Sequence, residues 1–530
     1  MRRTFFLLIT FLCLILFSAV RAEEIAHGIV FNDRNANGVM DKDEAGIAGV
    51  PVSNQAEVVL TDKNGRFELP VTDRCIIFLS KPSGYQVPLD DKNLPQFYYR
   101  HFPKGSPAGL QFPGIEPTGD LPKLLTFPLQ KIQETKQFTA IITGDPQPAT
   151  DEHLDFFRDD IISDMLQHKT LFYLALGDIV WDNLSLYKRY TEAVSKLGRV
   201  AYNVHGNHDM NFHVPSDEFA TETFRRVFGP EYYSFDYGDV HFVILEDVAY
   251  QGWNEKENKK GQYTGFLHNK QLQWLRNDLK FVPEHKLIVL SKHIPIATDL
   301  SAGDYNRVTN RDELFDILKD RKKLLALSGH THTTEAFKFG ERHGWTSENE
   351  FISVNPGAAC GAWWSGPKDI RGLPAAMGTD GSPNGYYIFE FDGNNYSYRF
   401  HPANLQEADQ ISVTFPRGKF TQNDTVQQHI IVNVFAGGID TKVVYQIDDG
   451  SPVEMTYTKM ADPFVVHYMQ ENRDWIADWI RNSAMSTHLW QAEMPKYLSP
   501  GMHTIKIVAT DHQKHEYNKT TVFEIEGKQE

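Results

Sequence analysis

The chain has 530 residues and carries 69 acidic against 53 basic side chains, which gives a formal net charge of −16. Hydrophobic residues make up 41% and aromatic residues 12%, so the composition excludes a disordered chain, and the length predicts about three domains. The acidic balance repels polyanions and argues against general nucleic-acid binding, although a local cationic site could still hold a small phosphate ester.

The first 22 residues have the pattern of a secretory signal peptide. Arg2 and Arg3 precede an apolar run over residues 5–17, and small residues follow up to Ala22. The run is shorter than the roughly 20 apolar residues that span a bilayer, although an uncleaved anchor is the alternative. We therefore expect a secreted protein, periplasmic in location, with no transmembrane segment after cleavage. Only Cys75 and Cys360 would then remain, which leaves one disulfide open.

Residues 23–132 are predicted to form an N-terminal β-sandwich-like module. Short strands, such as those over residues 57–60 and 75–79, are separated by Gly, Pro, Asn and Asp. A Pro- and Gly-rich stretch over residues 103–122 indicates a connecting segment.

A polar segment of this module fits an EF-hand-type calcium loop. Glycine occupies its sixth position, and the ligand positions are Asp33, Asn35, Asn37, Val39, Asp41 and Glu44. The alternative is a polar turn held by Asx hydrogen bonds.

Residues 133–403 alternate between apolar strands and amphipathic helices, which is typical of an α/β domain. Gly238-Asp239 and Asp392-Gly393-Asn394 each indicate a hairpin. The predicted helices cover residues 152–168, 184–197, 269–280 and 311–319, and the predicted strands cover residues 138–143, 171–176, 200–204, 232–237, 240–246, 287–290, 324–327, 386–391 and 396–400.

Residues 404–530 return to short, β-branched, alternating segments, which predict a C-terminal β-sandwich. Its predicted strands cover residues 430–435, 442–447, 453–457, 504–509 and 521–525. One helix is expected over residues 472–481.

Polar motifs stand where five of the predicted central strands end. Ligands of open α/β sheets bind beyond the carboxyl ends of the strands, so the five motifs are expected to converge. Asp, Asn, Gln and His are ligands of borderline divalent metals, and two such ions can clamp a phosphate and supply a hydroxide. Each motif alone is weak evidence, but the ordered set predicts a two-metal site. The motifs are Gly144-Asp145-Pro146-Gln147, Gly177-Asp178, Gly206-Asn207-His208-Asp209, Lys292-His293 and Gly329-His330-Thr331-His332.

With these motifs, residues 136–402 resemble the calcineurin-like metallophosphoesterase superfamily. The resemblance implies a four-layer αββα sandwich, flanked here by an N-terminal β module and a C-terminal β-sandwich, as in exported bacterial members. It also implies two ions of Mn, Fe or Zn, both bridged by Asp178. Asp145, Gln147 and His332 would complete the first site, and Asn207, His293 and His330 the second.

The resemblance further implies the roles of two residues beside the ligands. His208 would contact the phosphate and protonate the leaving oxygen, and Asp209 would orient His208. One position departs from the family pattern, because residue 147 is Gln where many members have His. A Gln carbonyl is a poorer donor than imidazole, which leaves the identity of the first metal open.

Several other polar and aromatic residues could approach the site. Trp363, Trp364 and the segment over residues 380–386 are candidates for substrate contact, with simple packing as the alternative. His153, His205, His213 and His241 are expected to be structural or supporting residues, and Asp182 and Asn183 could support the ligands.

The sequence thus predicts an exported phosphoesterase that hydrolyses phosphomonoesters or phosphodiesters by attack of a metal-activated hydroxide. Sugar phosphates, nucleotides, lipid headgroups, phosphoproteins and teichoic-type polymers all remain open as substrates, and so does the oligomeric state. The rival interpretation is a surface or periplasmic binding protein with an inactive core.

Overall fold

The structure is a computed structural model that describes residues 24–300, 303–421, 429–480 and 482–527. The predicted signal peptide lies outside these residues. Within the described ranges, no helix has both the length and the apolar character that a membrane span requires.

The N-terminal part consists of two four-stranded sheets, in the orders β4-β1-β8-β6 and β3-β2-β5-β7. Strand β1 pairs antiparallel with β4 and parallel with β8. Buried residues of both sheets belong to one apolar cluster, as a sandwich requires. The strands are β1 (Glu24–Asn32), β2 (Pro51–Ser53), β3 (Val58–Leu60), β4 (Arg66–Val71), β5 (Cys75–Leu79), β6 (Tyr85–Gln86), β7 (Tyr98–His101) and β8 (Leu125–Lys131).

The central part alternates strands and helices, as the sequence predicts. Its helices are α1 (Asp151–Phe156), α2 (Ser163–Met165), α3 (Tyr187–Ser195), α4 (Glu222–Phe228), α5 (Asn269–Leu279) and α6 (Arg311–Leu318), and a π-helical turn joins α1 to α2. Its strands are β9 (Gln137–Thr143), β10 (Phe172–Ala175), β11 (Val200–Asn203), β12 (Tyr233–Tyr237), β13 (Val240–Ile244), β14 (Val248–Tyr250), β15 (Trp253–Asn254), β16 (Lys259–Lys260), β17 (Tyr263–Gly265), β18 (Leu287–Ser291), β19 (Lys323–Leu327), β20 (Thr334–Lys338), β21 (Glu350–Pro356), β22 (Gly385–Asp392) and β23 (Asn395–Pro402).

These strands build two stacked sheets. The first has the order β11-β10-β9-β22-β23, with β9, β10 and β11 parallel and β22 antiparallel to β9. The second has the order β12-β13-β18-β19-β21-β20, with β13, β18 and β19 parallel. The carboxyl ends of the parallel strands carry the five polar motifs.

Helices cover both outer faces of the sheet pair, which confirms the four-layer αββα sandwich. Tyr173 of β10 packs in the cluster under α1 and α3, whereas its neighbour Phe172 faces the second sheet and meets Phe242 at 5.2 Å between ring centroids. This alternation follows from the two-residue period of a strand. On the far side, Phe315 of α6 contacts Phe351 of β21 at 6.1 Å.

The C-terminal part is a sandwich of two sheets, in the orders β24-β26-β30-β29 and β25-β32-β31-β27-β28. The two sheets share one apolar cluster. The elements are β24 (Ile411–Phe415), β25 (Gly418–Thr421), β26 (His429–Val434), β27 (Lys442–Ile447), β28 (Val453–Glu454), β29 (Thr456–Ala461), α7 (Pro463–Glu471), β30 (Met485–Glu493), β31 (Gly501–Thr510) and β32 (Glu516–Glu526).

The helix predicted over residues 472–481 is wrong, because the helix of this insert ends where that range begins. The Asp462 side chain accepts from the Phe464 amide, and Pro463 occupies the first turn, so α7 starts there. Over the described residues 472–480, the helical structure is a single 3₁₀ turn, Arg473–Trp475.

Both flanking parts are fastened to the central part by buried polar contacts. On the N-terminal side, the Tyr232 hydroxyl donates to the Gln55 carbonyl at 2.7 Å. On the C-terminal side, the Thr487 hydroxyl donates to the Thr334 carbonyl at 2.7 Å, two residues beyond His332. Cys75 and Cys360 are both free and buried, which settles the open disulfide.

Candidate active site

The structure brings together the seven side chains predicted as metal ligands. Asp145 and Gln147 follow β9, Asp178 follows β10, and Asn207 follows β11. His293 follows β18, and His330 and His332 follow β19. Two sheets therefore contribute, and the side chains meet where the carboxyl ends of their parallel strands adjoin.

One half of the centre is built around His293. Its Nε2 lies 3.0 Å from Asn207 Oδ1, 3.3 Å from Asp178 Oδ1 and 3.2 Å from His330 Nδ1. Asp178 and His293 are almost fully buried. Four donor atoms of the predicted second metal site thus surround one point.

The surroundings of His293 favour a positive charge in this half. Nδ1 lies 2.9 Å from the Leu176 carbonyl and donates to it, which leaves Nε2 as the lone-pair nitrogen of the neutral ring. That lone pair faces the Asn207 and Asp178 oxygens, which cannot donate. Burial lowers the pKa of His293, but the Asp178 carboxylate outweighs this effect and raises the pKa to about 10.

The other half is built around Asp145 and His332. His332 Nε2 lies 3.5 Å from Asp145 Oδ1, and both Asp145 oxygens accept from the His330 amide at 3.1 and 2.9 Å. The Gln147 amide nitrogen Nε2 donates to Asp178 Oδ2 at 3.0 Å. Ligand atoms of Asp145, Asp178 and His332 lie within 4.8 Å of one another, as do those of Asp178, His293 and His330. Asp178 is the member that both groups share.

Cys360 supports the first half, and sequence analysis missed it. Its sulfur lies 3.8 Å from Gln147 Oε1 and 3.8 Å from His332 Nδ1, and burial raises the pKa of the thiol. A lone cysteine in a loop carries no sequence signal for this position, because its contact with Gln147 joins residues 213 positions apart.

The backbone at the ligands is strained. Asp145, Gln147, Asp178, His330 and His332 have φ values of 42°, 44°, 49°, 73° and 53°. L-residues rarely adopt this left-handed region, and each such residue costs on the order of 1 kcal/mol or more. Strain concentrated at one set of polar side chains is characteristic of a functional site.

Two motif glycines explain how the loops approach so closely. A Cβ on Gly206 would lie 2.1 Å from the Asp178 amide nitrogen and 2.3 Å from Asp178 Oδ1. A Cβ on Gly329 would lie 2.6 Å from Asp145 Oδ2. Glycine is thus required next to Asn207 and His330, because a ligand of another motif occupies that space.

His208 is oriented by a different carboxylate from the one expected. Its Nδ1 lies 2.6 Å from Asp182 Oδ1, and Lys260 of β16 pairs with the other oxygen of Asp182. The His208 amide donates to Asp178 Oδ1 at 2.8 Å, which places the ring beside the shared ligand. The expectation that Asp209 orients His208 is therefore wrong, and Asp182 takes that position.

Asp209 instead holds the motif loops together. Its carboxylate accepts from the backbone amides of Gly206, Ile179 and Val180 and from the Tyr187 hydroxyl, at 3.0 to 3.3 Å. Burial and the nearby Asp178 raise the pKa of Asp209 to about 6. Asp209 thus ties the loop after β10 to the loop after β11.

Three tryptophans form an aromatic wall beside the site, which we define as Trp181, Trp363 and Trp479. Trp363 stacks on His332 at 4.3 Å between centroids, and Trp181 lies 5.2 Å from His208. Trp479 comes from the C-terminal part, reaches Trp181 at 4.8 Å, and remains 53% exposed. The wall therefore confirms Trp363 as a neighbour of the site and adds two residues that the sequence did not indicate.

Other predicted neighbours have supporting places. Trp364 is buried and donates to the Pro146 carbonyl at 2.8 Å. Asp380 does not line the site; it accepts from the Thr334 amide at 2.9 Å and contacts His488 at 3.0 Å, which links the core to the C-terminal part. Asn183 starts the 3₁₀ turn Leu184–Leu186 by accepting from the Ser185 amide.

The four additional histidines have polar or aromatic partners away from the seven ligands. His153 faces the Ala149 amide, His205 meets Phe224 at 5.2 Å between ring centroids, His213 packs on Trp253, and His241 lies between Asp236 and Asp278.

The calcium-type loop is folded in the N-terminal part. Asp33 accepts from the amides of Asn37 and Gly38 at 3.2 and 2.8 Å, and Asp41 accepts from the Asn35 and Asn37 side chains. Glu44 accepts from the Arg34 and Asp41 amides at 2.7 and 3.1 Å. The carboxylates of Asp33, Asp41 and Glu44, at the first, ninth and twelfth positions, therefore all accept hydrogen bonds from within the loop.

Three sequence profiles match the chain. The profile of the calcineurin-like phosphoesterase matches residues 138–334, and the profiles of the N terminal and the C terminal of calcineurin-like phosphoesterase match residues 34–115 and 354–517. The C-terminal match begins before β22 and β23, which belong to the first core sheet.

The chain is similar in sequence to a curated phosphodiesterase and in structure to two solved phosphatases. "Probable glycerophosphodiester phosphodiesterase GpdQ" of Arcobacter nitrofigilis is 28% identical over 148 residues, which are 28% of this chain and 50% of the relative. The match thus spans half the length of that relative. A dimetal phosphatase from Danio rerio is 14% identical with a TM-score of 0.34, covering 50% of this chain and 95% of that chain. A purple acid phosphatase from yellow lupin (Lupinus luteus) seeds is 13% identical with a TM-score of 0.36, covering 67% and 69%.

Proposed function

The chain belongs to the calcineurin-like phosphoesterase superfamily, and on that premise we propose that it hydrolyses phosphate esters at a centre of two divalent metal ions. The observation that carries the proposal is the position of Asp178. Its Oδ1 faces His293 at 3.3 Å, and its Oδ2 faces Gln147 at 3.0 Å, so one carboxylate serves both halves of the donor set. The proposed ligands are Asp145, Gln147, Asp178, Asn207, His293, His330 and His332.

When bound, such ions supply Lewis acidity to phosphate oxygens and lower the pKa of coordinated water. The chain itself would supply the proton donor: Asp182 holds His208 Nδ1, so Nε2 on the opposite edge of the ring would donate to the leaving oxygen. Asp209 keeps the two loops that carry Asp178 and Asn207 in fixed register.

The donor set also restricts the metals. Imidazole, amide and carboxylate ligands suit Mn, Fe and Zn. Gln147 supplies an amide where an imidazole would bind more strongly, so we propose that the first ion is the more easily exchanged of the two.

Replacing Asp178 with Ala is the direct test. We expect loss of both ions, measured by elemental analysis, and a fall in nitrophenyl phosphate ester hydrolysis on the order of 10²-fold or more. The exposed Asp151, which pairs with Arg189, provides the matched control Asp151→Ala with unchanged metal content and rate. Full turnover in Asp178→Ala would refute the proposal.

His208→Ala separates metal binding from proton transfer. This variant should keep its ions but lose turnover by about 10²- to 10⁴-fold, most severely on esters with poor leaving groups. Loss of the ions together with the rate would instead assign His208 to metal binding.

Within this reaction class, the ratio of diester to monoester hydrolysis identifies the substrate most directly. The relative from Arcobacter nitrofigilis is named as a probable glycerophosphodiester phosphodiesterase, so glycerophosphodiesters are the first natural substrates to assay. The rival function, a binding protein with an inactive core, predicts no turnover of either ester class.

We also propose calcium binding by the N-terminal loop. Asp33, Asn35, Asn37, Asp41 and Glu44 supply side-chain oxygens, and Val39 supplies a carbonyl, in the order of an EF-hand loop. Calorimetric titration of the full chain with calcium should show heat of binding at one site. Glu44→Gln should abolish this heat, and the neighbouring exposed variant Asp43→Asn should retain it. Equal heats in both variants would contradict this assignment.

Export to the periplasm is the proposed location, since residues 1–22 have the pattern of a signal peptide. Fractionation of cells producing the full chain should place activity in the periplasm and a mature N-terminus near residue 23. An intact N-terminus in the cytoplasmic fraction would exclude export.

A further inference from the structure

A second cluster of metal-ligand residues lies outside the catalytic centre. Asp164 belongs to α2, His168 lies in a bend three residues beyond the end of that helix, and His401 stands near the end of β23. In the turn that follows α2, the His168 amide donates to the Met165 carbonyl at 3.1 Å. The cluster shares no residue with the seven proposed catalytic ligands.

The three side chains converge closely enough for a single ion. His401 Nε2 lies 2.9 Å from Asp164 Oδ2, and the His168 and His401 rings meet at 4.7 Å between centroids. One ligand atom from each residue falls within 4.8 Å of the others. Ligands at 2.0 to 2.1 Å from a tetrahedral zinc ion lie about 3.3 Å apart, so modest side-chain adjustment completes the geometry.

Unsatisfied imidazole nitrogens point to a missing ligand. His401 is only 6% exposed; its Nε2 faces Asp164 Oδ2 at 2.9 Å, and its buried Nδ1 has no hydrogen-bond partner among the described residues. His168 Nε2 is likewise buried without a partner. Buried polar atoms are almost always paired, and one cation would satisfy these nitrogens together.

The surrounding residues hold the cluster in place. The Tyr386 hydroxyl donates to Asp164 Oδ2 at 2.8 Å, and the Gln167 amide donates to Asp164 Oδ1 at 2.8 Å. Tyr386 is also the cross-strand neighbour of His401 and stacks on its ring at 5.0 Å. Such supporting hydrogen bonds on a carboxylate are typical of metal sites. The π-helical turn Phe157–Ile162 precedes the cluster, and π turns occur frequently at functional sites.

The nearby cations have other partners and do not fill the cluster. Arg199 donates to the His168 backbone carbonyl at 3.0 Å, and Arg399 pairs with Glu390 and Glu407.

We propose that Asp164, His168 and His401 bind a zinc ion, with solvent completing its coordination. This third site joins the helix over the first sheet to the last core strand, directly before the C-terminal part. The partly exposed His168 gives the ion access from solvent.

The test uses the full chain with the catalytic centre disabled by Asp178→Ala, so that the third site is counted separately. After dialysis against zinc, this variant should retain one zinc ion per chain. Adding His168→Ala should remove that ion and abolish the zinc-induced rise in melting temperature. His401→Gln, which preserves side-chain size, should give the same result.

His467→Ala is the matched control, because His467 pairs with Glu471 at one helical turn but has no third ligand among the described residues. It should leave the zinc content unchanged. An Asp178→Ala chain that retains no zinc, or equal zinc content with and without His168→Ala, would overturn the proposal. With Asp178 intact, turnover should be unaffected by His168→Ala.

Discussion

His208 Nδ1 lies 2.6 Å from Asp182 Oδ1, and Lys260 holds the other oxygen of the same carboxylate. Asp182 stands four residues after the shared ligand Asp178, whereas Lys260 comes from the hairpin of β15 and β16. The proton donor of the proposed reaction is thus positioned by residues from two distant segments.

Asp182→Asn should lower turnover by about 10- to 100-fold without changing metal content, because the amide holds the His208 ring more weakly than the carboxylate does. Rates on esters with good and poor leaving groups, together with elemental analysis, provide the measurement. The exposed pair of Asp151 and Arg189 supplies the control Asp151→Asn. An unchanged rate on poor leaving groups would remove Asp182 from this role.

Gly206→Ala should disrupt the centre, because the added methyl group would lie 2.3 Å from Asp178 Oδ1. The expected result is weakened binding of both ions and a loss of turnover on the order of 10²-fold. Gly340→Ala is the control, since that position has open space for a Cβ and an extended backbone. Normal metal content in Gly206→Ala would show that the loops after β10 and β11 can move apart without weakening metal binding.

Trp479→Ala tests whether the C-terminal part contributes to substrate binding. Removing the Trp479 ring from the aromatic wall should raise KM about 2- to 10-fold for esters with large apolar or aromatic groups, with kcat little changed. Trp475→Ala is matched in type and exposure, because Trp475 is 59% exposed and lies outside the wall. Equal KM values for the two variants would assign the wall to packing alone.

The buried His241 should make stability depend on pH. Burial lowers the pKa of His241, but Asp278 and Asp236, at 2.8 and 2.7 Å, outweigh it and raise the pKa to about 9. Because the pKa in the folded state is the higher one, the stabilisation is complete below about pH 6.5 and is lost as pH rises through 9. Its size is about 3 kcal/mol.

Urea unfolding of the wild type and His241→Asn measures this effect. Their difference in unfolding free energy should be larger at pH 6 by about 3 kcal/mol than at pH 10. Lys286 still pairs with Asp236, and Ser80 and Ser234 still donate to Asp278, so the variant retains partners for both carboxylates. A pH-independent difference would contradict a charged His241.

Most of the secondary structure could be predicted because hydrophobic periodicity and turn residues act locally. The strand Cys75–Leu79 matches its predicted range, and the hairpins at Gly238 and Gly393 form where their turns indicate. The helix predicted over residues 472–481 failed because the cap at Asp462 starts the helix earlier, and the helix ends at its C-cap Asn472, whose φ of −108° and ψ of 24° leave the helical region.

The seven candidate ligands could be named because the five polar motifs follow shortly after core strands. The sequence alone therefore determines the donor types and their common edge, and the family resemblance assigns the individual ligands. The family resemblance implied Asp209 as the partner of His208, but the turn after β11 directs that carboxylate back onto the backbone of residues 179 and 180. Only the tertiary structure brought Lys260, Cys360 and Trp479 to the site and His401 to Asp164, and it decided that Asp182, an expected supporting residue, is the partner of His208. These contacts join loops whose separation in the chain leaves no periodic signal, and only the packing of the layers decides which of them meet.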